Sequence, residues 1–188
     1  MRTKIKQKNS GFTLIELMVA TSIFVIVMLS SMSALFILLG AGKNSKALQS
    51  AMDNVNFAIE SMTRSIRMGT NYYCGSFSAS DLTSTSNCGS GDYLISFVPQ
   101  SQNGVPATSR VGYQNVAGVL KRYDSANTNG VPIVSPNVFI EELKFFVNGS
   151  NPSDSKQASV YVVMKGTVTT QNGPVSFSLQ TLASQRNF

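Results

Sequence analysis

The chain has 188 residues, of which 43% are hydrophobic and only 13% charged, with a formal net charge of +6. It contains no histidine and two cysteines, Cys74 and Cys88, which excludes Ser-His-Asp and Cys-His catalytic groupings and most zinc sites; the cysteine spacing fits no metal motif. Arg2, Lys4, Lys6 and Lys8 lie ahead of Gly11, and the remainder carries 11 bases against 9 acids, a net of +2, too little to claim a nucleic-acid or anionic-surface binder.

Residues 1–11 read as a short basic leader, and residues 12–39 as a transmembrane segment. Leu17 to Leu39 is a run of 23 positions without a formal charge. As a helix it would extend roughly 34 Å, enough to cross a bilayer core. Thr21, Ser22, Ser30, Ser31 and Ser33 are tolerable there, because a helical hydroxyl can bond the carbonyl one turn back. The cations precede the run, so the N-terminus is expected in the cytoplasm, and everything after about Gly42 outside it.

Glu16 complicates this picture. A secretory signal peptide would have a shorter apolar core and a small-x-small cleavage site, which "ILLGAGKNS" does not supply. A plain signal anchor explains the length and the cations, yet a leucine would serve it better than Glu16. A buried core helix would not be this long. A cut after Gly11 would instead make Phe12 a new N-terminus bearing an ammonium group. Glu16 follows four residues later on the same helical face, and a carboxylate in an apolar phase is tolerable when paired. Its partner would be its own chain's Phe12 amine or that of a neighbouring subunit. The second pairing would set the axial register of helices packed side by side.

Residues 40–69 read as an amphipathic helix. Leu48, Met52, Val55, Ile59, Met62 and Ile66 recur at spacings of four and three, forming one apolar stripe. A face packed on a sheet is the plain reading of this stripe; a coiled-coil partner is the alternative. Gly40 and Gly42 can bend the helix, and Gly69 is a good stop signal.

Residues 70–188 read as a β-rich domain outside the cytoplasm. From Tyr72 to Asp92 the chain is polar and holds both cysteines. They are expected to pair there, closing a loop whose restraint contributes about 3 kcal/mol; two free thiols are the alternative. Strands are predicted over Tyr93–Val98, Gly118–Tyr123, Val138–Val147, Ser159–Thr169 and Val175–Leu182. In the last, Phe177, Leu179 and Thr181 share one face, and Ser178, Gln180 and Leu182 the other. Turn signals stand at Asn103-Gly104, Asn129-Gly130 and Asn172-Gly173. Strands without intervening helices imply one antiparallel sheet laid on the amphipathic helix, an α+β roll.

No motif supports enzymatic chemistry, and no catalytic residue, metal or cofactor is expected. "GSGD" at Gly89–Asp92 lacks the Lys-Ser/Thr of a phosphate loop. Asp81, Asp92 and Asp124 are scattered and do not resemble a calcium loop. Glu141-Glu142 reads as one outward strand residue and one at a bulge or edge. Arg110, Lys121, Arg122, Lys144 and Lys165 would form a basic patch with Tyr113 and Tyr123 if they cluster, permitting DNA contact; scattered solvated charges are the alternative. Asn148-Gly149-Ser150 fits a glycosylation sequon.

"GFTLIE" at Gly11–Glu16, behind the basic leader and ahead of the apolar run, resembles the signal of type IV pilins and type II secretion pseudopilins. The resemblance implies cleavage after Gly11 by a prepilin peptidase and N-methylation of Phe12. It also implies docking of Glu16 onto a neighbour's Phe12 amine in a filament built at an inner-membrane assembly platform. The protein would then be a single-pass inner-membrane protein in the lipid bilayer before joining other pilin or pseudopilin subunits. "AMDNVNFAIESMTRSIRMG", "VFIEELKFFV", "SVYVVMKGTV" and "FSLQTLASQRNF", with its Arg186-Asn187 pair, resemble J-type minor pseudopilins and related minor pilins. Two departures narrow the role. Major pilins commonly have a proline in the membrane half of the helix, and none occurs here between Met1 and Val98. The K-type subunits at the tip usually lack the glutamate that this chain keeps. A minor subunit that helps initiate or cap a filament is the implied role.

Overall fold

The structure is a computed structural model that describes residues 11–78, 81–100, 107–151, 153, 156–170 and 173–186, less the side chains of residues 41, 43 and 44. Residues 1–10 of the basic leader, the Asn103-Gly104 turn, Asn172 and Asn187 lie outside the described residues. The chain divides into two compact units, Met1–Ser45 and Lys46–Phe188. Helix α1, Leu14–Arg67, begins in the first and ends in the second.

In the first unit the apolar side chains face outward; Phe12, Leu14, Ile37 and Leu38 are among the most exposed. An 18-residue window there has a mean hydropathy of 2.5, and the helix is long and apolar enough to cross a membrane. The five hydroxyls fold back as expected. Thr21 Oγ1 donates to Leu17 O at 3.0 Å, Ser22 Oγ to Met18 O at 2.8 Å, and Ser30 Oγ to Ile26 O at 2.9 Å. Ser31 Oγ donates to Val27 O at 2.9 Å and Ser33 Oγ to Leu29 O at 3.1 Å. Each hydroxyl proton is thus donated within the helix, which is what an apolar phase requires.

In the second unit the C-terminal part of α1 buries Ala51, Val55, Ala58, Met62 and Ile66. Leu48, Met52 and Ile59 flank this line and are only partly buried. The stripe is therefore rotated from the one that the large side chains alone suggest. The two alanines belong to it, at 2% exposure each, although their side chains are small. Gly69 does not end the helix through a left-handed backbone. It opens strand β1, Gly69–Cys74, and a Cβ there would run into the Phe97 ring. The helix terminus is satisfied by Tyr72, whose buried hydroxyl lies 2.7 Å from Ile66 O and 2.8 Å from Gly69 O.

The single sheet expected from the sequence is in fact two. One has the order β1-β2-β3-β4-β5, the other β6-β7-β8. The first adds β2 (Leu94–Pro99), β3 (Val111–Val116), β4 (Val119–Tyr123) and β5 (Val131–Pro132) to β1. The second comprises β6 (Val138–Asn148), β7 (Ser159–Thr170) and β8 (Gly173–Ser184). All pairings are antiparallel. Strands β1, β3 and β5 were not predicted, whereas the five expected strands appear with small shifts at their ends.

One bulge explains an otherwise broken pattern. The β6–β7 register slips between Ile140 and Glu142, leaving Glu141 as the extra residue. A single inserted residue flips the faces. Val138 and Ile140 before it, and Leu143, Phe145 and Val147 after it, are therefore all buried. On β8 the expected alternation is present, with Phe177, Leu179 and Thr181 turned inward and Ser178, Gln180 and Leu182 exposed. Both sheets and the helix stripe contribute to one apolar core.

Candidate functional site

Phe12, Thr13 and Glu16 open the helix. Phe12 is almost fully exposed. Thr13 precedes the first helical residue, and its backbone N–H and hydroxyl both donate to Glu16 Oε2, at 3.1 and 3.0 Å. The Glu16 N–H approaches Thr13 Oγ1 at 3.3 Å in return. This is a capping box, in which a Thr at the N-cap and a Glu three residues on satisfy each other's backbone groups. Thr13-x-x-Glu16 was legible as such in the sequence and was missed there. Glu16 is therefore not an isolated charge. It has local partners and sits where the helix dipole favours an anion. Both bonds fall on Oε2; among the described residues no partner approaches Oε1.

Cys74 and Cys88 form a disulfide with their Cα atoms 6.3 Å apart. The loop between them is held by further contacts. Ser86 N donates to Tyr72 O at 2.9 Å and Cys88 N to Val147 O at 3.0 Å. Asn71 Nδ2 donates to Leu82 O at 2.8 Å.

The basic patch considered from the sequence does not exist as drawn. Arg110 is 1% exposed, so it is no surface cation. Its guanidinium donates to Asp81 O, to Ser84 O and, at 2.6 Å, to Asn71 O, and it lies over the Tyr73 ring at 5.7 Å. A buried guanidinium with several donors can satisfy several carbonyls at once, and here it fastens the disulfide loop to β1. Burial lowers its pKa, opposed by the nearby Asp81 charge. Lys165 Nζ and Lys144 Nζ both engage Glu142, at 2.7 and 3.0 Å. Arg122 lies 3.8 Å from Asp124. Tyr113, expected beside the patch, is buried in the core.

Two carboxylates are unusually acidic. Hydrogen bonds from Lys165 and then Lys144 hold Glu142 at about 2, against an ordinary 4.5. The Ser84 hydroxyl, then the Ser84 and Thr83 N–H groups, hold Asp81 at about 2, against 3.8. Both values lie below those of the unfolded chain. Their stabilisation is therefore present in full above the ordinary carboxylate range and lost as pH falls through about 2. The urea midpoint of the folded domain is expected to stay level from about pH 7 to 5 and to decline only below about pH 4. A midpoint that falls already near pH 6 would show that these contacts do not govern acid unfolding.

Among the described residues, no three of His, Cys, Asp or Glu converge on a metal-sized space. The prokaryotic N-terminal methylation motif matches residues 6–32, a span that includes Gly11, Phe12, Thr13 and Glu16. No curated protein and no solved structure matches the chain. The match supports a type IV pilin-like prepilin. The motif supports a type IV pilin or pseudopilin class protein, a class that is typically structural rather than catalytic. It implies processing by prepilin peptidase and assembly with other pilin subunits. The apolar helix fits a single-pass membrane anchor.

Proposed function

We propose that this chain is a minor pilin or J-type-like pseudopilin subunit that helps to initiate or cap a type IV pilus-like filament. Residues 1–11 are the leader, removed by cleavage after Gly11, and Phe12 becomes the methylated N-terminus. Residues 12–39 hold the subunit in the inner membrane with its N-terminus in the cytoplasm. Residues 40–69 join this anchor to the β-rich domain, residues 70–188, on the opposite side. During assembly Glu16 meets the Phe12 amine of a neighbouring subunit.

The observation that carries this reading is the N-terminal methylation motif over residues 6–32, at the head of an apolar helix. The geometry of Glu16 supports it. One carboxylate oxygen is occupied by Thr13, which fixes the side chain against the first helical turn and leaves Oε1 for an arriving cation. The absence of a proline before Pro99 favours a minor subunit over the bulk of a filament shaft. A domain that contacts DNA is disfavoured by the basic residues themselves, since Arg110 is buried and Glu142 engages two of the lysines.

Gly11→Ala tests the processing step. With peptidase present, the wild-type chain is expected to run eleven residues shorter than its precursor on an immunoblot, and the variant to remain at precursor length. Equal mobility of the two would refute cleavage at this position.

A further inference from the structure

Four asparagines of this chain precede a glycine: Asn103, Asn129, Asn148 and Asn172. Such a step is chemically vulnerable. The backbone nitrogen after an asparagine attacks the side-chain amide carbon, and glycine, having no Cβ, shields that nitrogen least. In a folded chain the reaction also needs a backbone N–H outside any hydrogen bond and a side chain free to turn toward it. Two of the four steps lie wholly within the described residues, and they differ in this respect. Gly130 N–H is donated to Asn127 O at 3.1 Å. Among the described residues, Gly149 N–H has no acceptor. Asn148 is exposed at the end of β6, and its side chain bonds to no described residue.

The fold demands the glycine at this step. Gly149 has a φ of 69°, and a Cβ there would lie 3.1 Å from Gln157 O. A bulkier residue that would shield the nitrogen is therefore strained at this turn. Ser150, next in the chain, is fixed. Its N–H and hydroxyl both donate to Asn87 Oδ1, at 2.9 and 2.8 Å. It is also buried, so the hydroxyl that completes the Asn148-Gly149-Ser150 glycosylation sequon is engaged inside the fold.

We propose that Asn148 is a modification site, deamidated through Gly149 in the folded chain, and that its conversion loosens the loop between Cys74 and Cys88. The Gly149 nitrogen gives up its proton to solvent base and forms a bond to Asn148 Cγ. The Cγ–Nδ2 bond breaks, and Nδ2 leaves as ammonia, giving a cyclic succinimide. Water then opens the ring. Addition at Cγ restores the main chain and leaves aspartate. Addition at the Asn148 carbonyl carbon leaves the chain running through Cγ, an isoaspartate with an extra backbone atom. Either product carries a negative charge where the amide was neutral.

Asn148-Gly149 is the span between two anchors of the disulfide loop. On one side Val147 O accepts Cys88 N–H at 3.0 Å. On the other Ser150 holds Asn87, the residue before Cys88. An extra backbone atom between them shifts Ser150 relative to Val147, so that both anchors cannot hold together. The chemistry is the same whether or not the chain enters a filament.

The test ages the purified full chain in detergent, at neutral and at mildly alkaline pH, beside an Asn148→Gln control whose longer side chain cyclises far more slowly. Peptide mass spectrometry with electron-based fragmentation separates asparagine, aspartate and isoaspartate. Conversion at Asn148 is expected to be at least about five-fold faster than at Asn129, the ratio set by the hydrogen bond that Gly130 N–H must first give up. It is expected to accelerate at the higher pH. An unfolded chain would convert both asparagines alike. Isoaspartate-bearing chains are expected to be cut between Cys74 and Cys88 at least about ten-fold faster than aged Asn148→Gln chains, having lost two contacts of the loop. Conversion at Asn129 as fast as at Asn148, a rate indifferent to pH, or equal cleavage of the two chains would each overturn the proposal. A glycan on Asn148 in chains taken from cells would overturn it too, because the amide nitrogen would already be substituted.

Discussion

Glu16→Leu is expected to leave the chain in the membrane but reduce its recovery in sheared filaments at least about ten-fold. Close charge pairs in a desolvated interface couple by about 1.5–7 kcal/mol, and each 1.4 kcal/mol is a factor of ten in an equilibrium constant. The leucine variant loses that pairing and the capping box together, because Thr13 N–H and Oγ1 both donate to Glu16 Oε2. Glu16→Gln separates the two roles. A glutamine at this position of a capping box still accepts from the N-cap residue, so the helix start survives while the charge is gone. Comparative immunoblots of sheared filaments are expected to show Gln as defective as Leu. Recovery of the Gln variant at the wild-type level would show that Glu16 acts on its own helix and not on a neighbour's amine.

Arg110→Met is expected to be among the most destabilising substitutions in the β-rich unit. Methionine retains an apolar side chain but removes every donor. The carbonyls of Asn71, Asp81 and Ser84 would lose their common partner in a partly buried place. An unsatisfied buried acceptor costs about 1–3 kcal/mol. Three of them, partly relieved by rearrangement of the loop, give a loss of about 3–5 kcal/mol. For a chain of this size that lowers the thermal midpoint by roughly 6–20 °C. Arg110→Lys should recover little, because one ammonium cannot reach carbonyls that converge from three directions. Thermal unfolding of the detergent-solubilised chain, with proteolysis of the segment between Cys74 and Cys88 as a local readout, checks both variants. A midpoint within about 1 °C of wild type would show that the disulfide and the other loop contacts hold this segment without Arg110.

The elements legible in the sequence were those whose pattern is set by the residue's own neighbours. The apolar run from Leu17 to Leu39 and the alternation in "FSLQTL" are of this kind. So is the Thr13-x-x-Glu16 cap, although its signal was overlooked beside the charge itself. What escaped was set by contacts distant in the chain. Strand β1 reads as "GTNYYC", and Asn71, at a positive φ of 52°, interrupts any period of two. Strand β3 carries Gly112, which admits the Phe77 ring; a Cβ there would lie 2.7 Å from it. Arg110 looked like a surface cation because nothing within a few residues signals that three carbonyls from elsewhere enclose it. The alanines at 51 and 58 carry little apolar weight in a sequence pattern, yet they define the buried line of the helix. The division into two sheets was likewise hidden, since strand propensity says nothing about which strands pair.

At the candidate site the sequence supplied the residues, and the structure supplied the local arrangement of two of them. Glu16 is held by Thr13, not presented alone, so the docking proposal becomes one of sharing a carboxylate between a cap and a neighbour. Everything in that proposal depends on whether Phe12 bears a free cationic end. Intact-mass and N-terminal peptide spectrometry of the chain from filament-forming cells measures this directly. The account predicts a mature chain that begins at Phe12, carries one added methyl group and lacks residues 1–11. A population that retains Met1, or that begins at any residue other than Phe12, would contradict it.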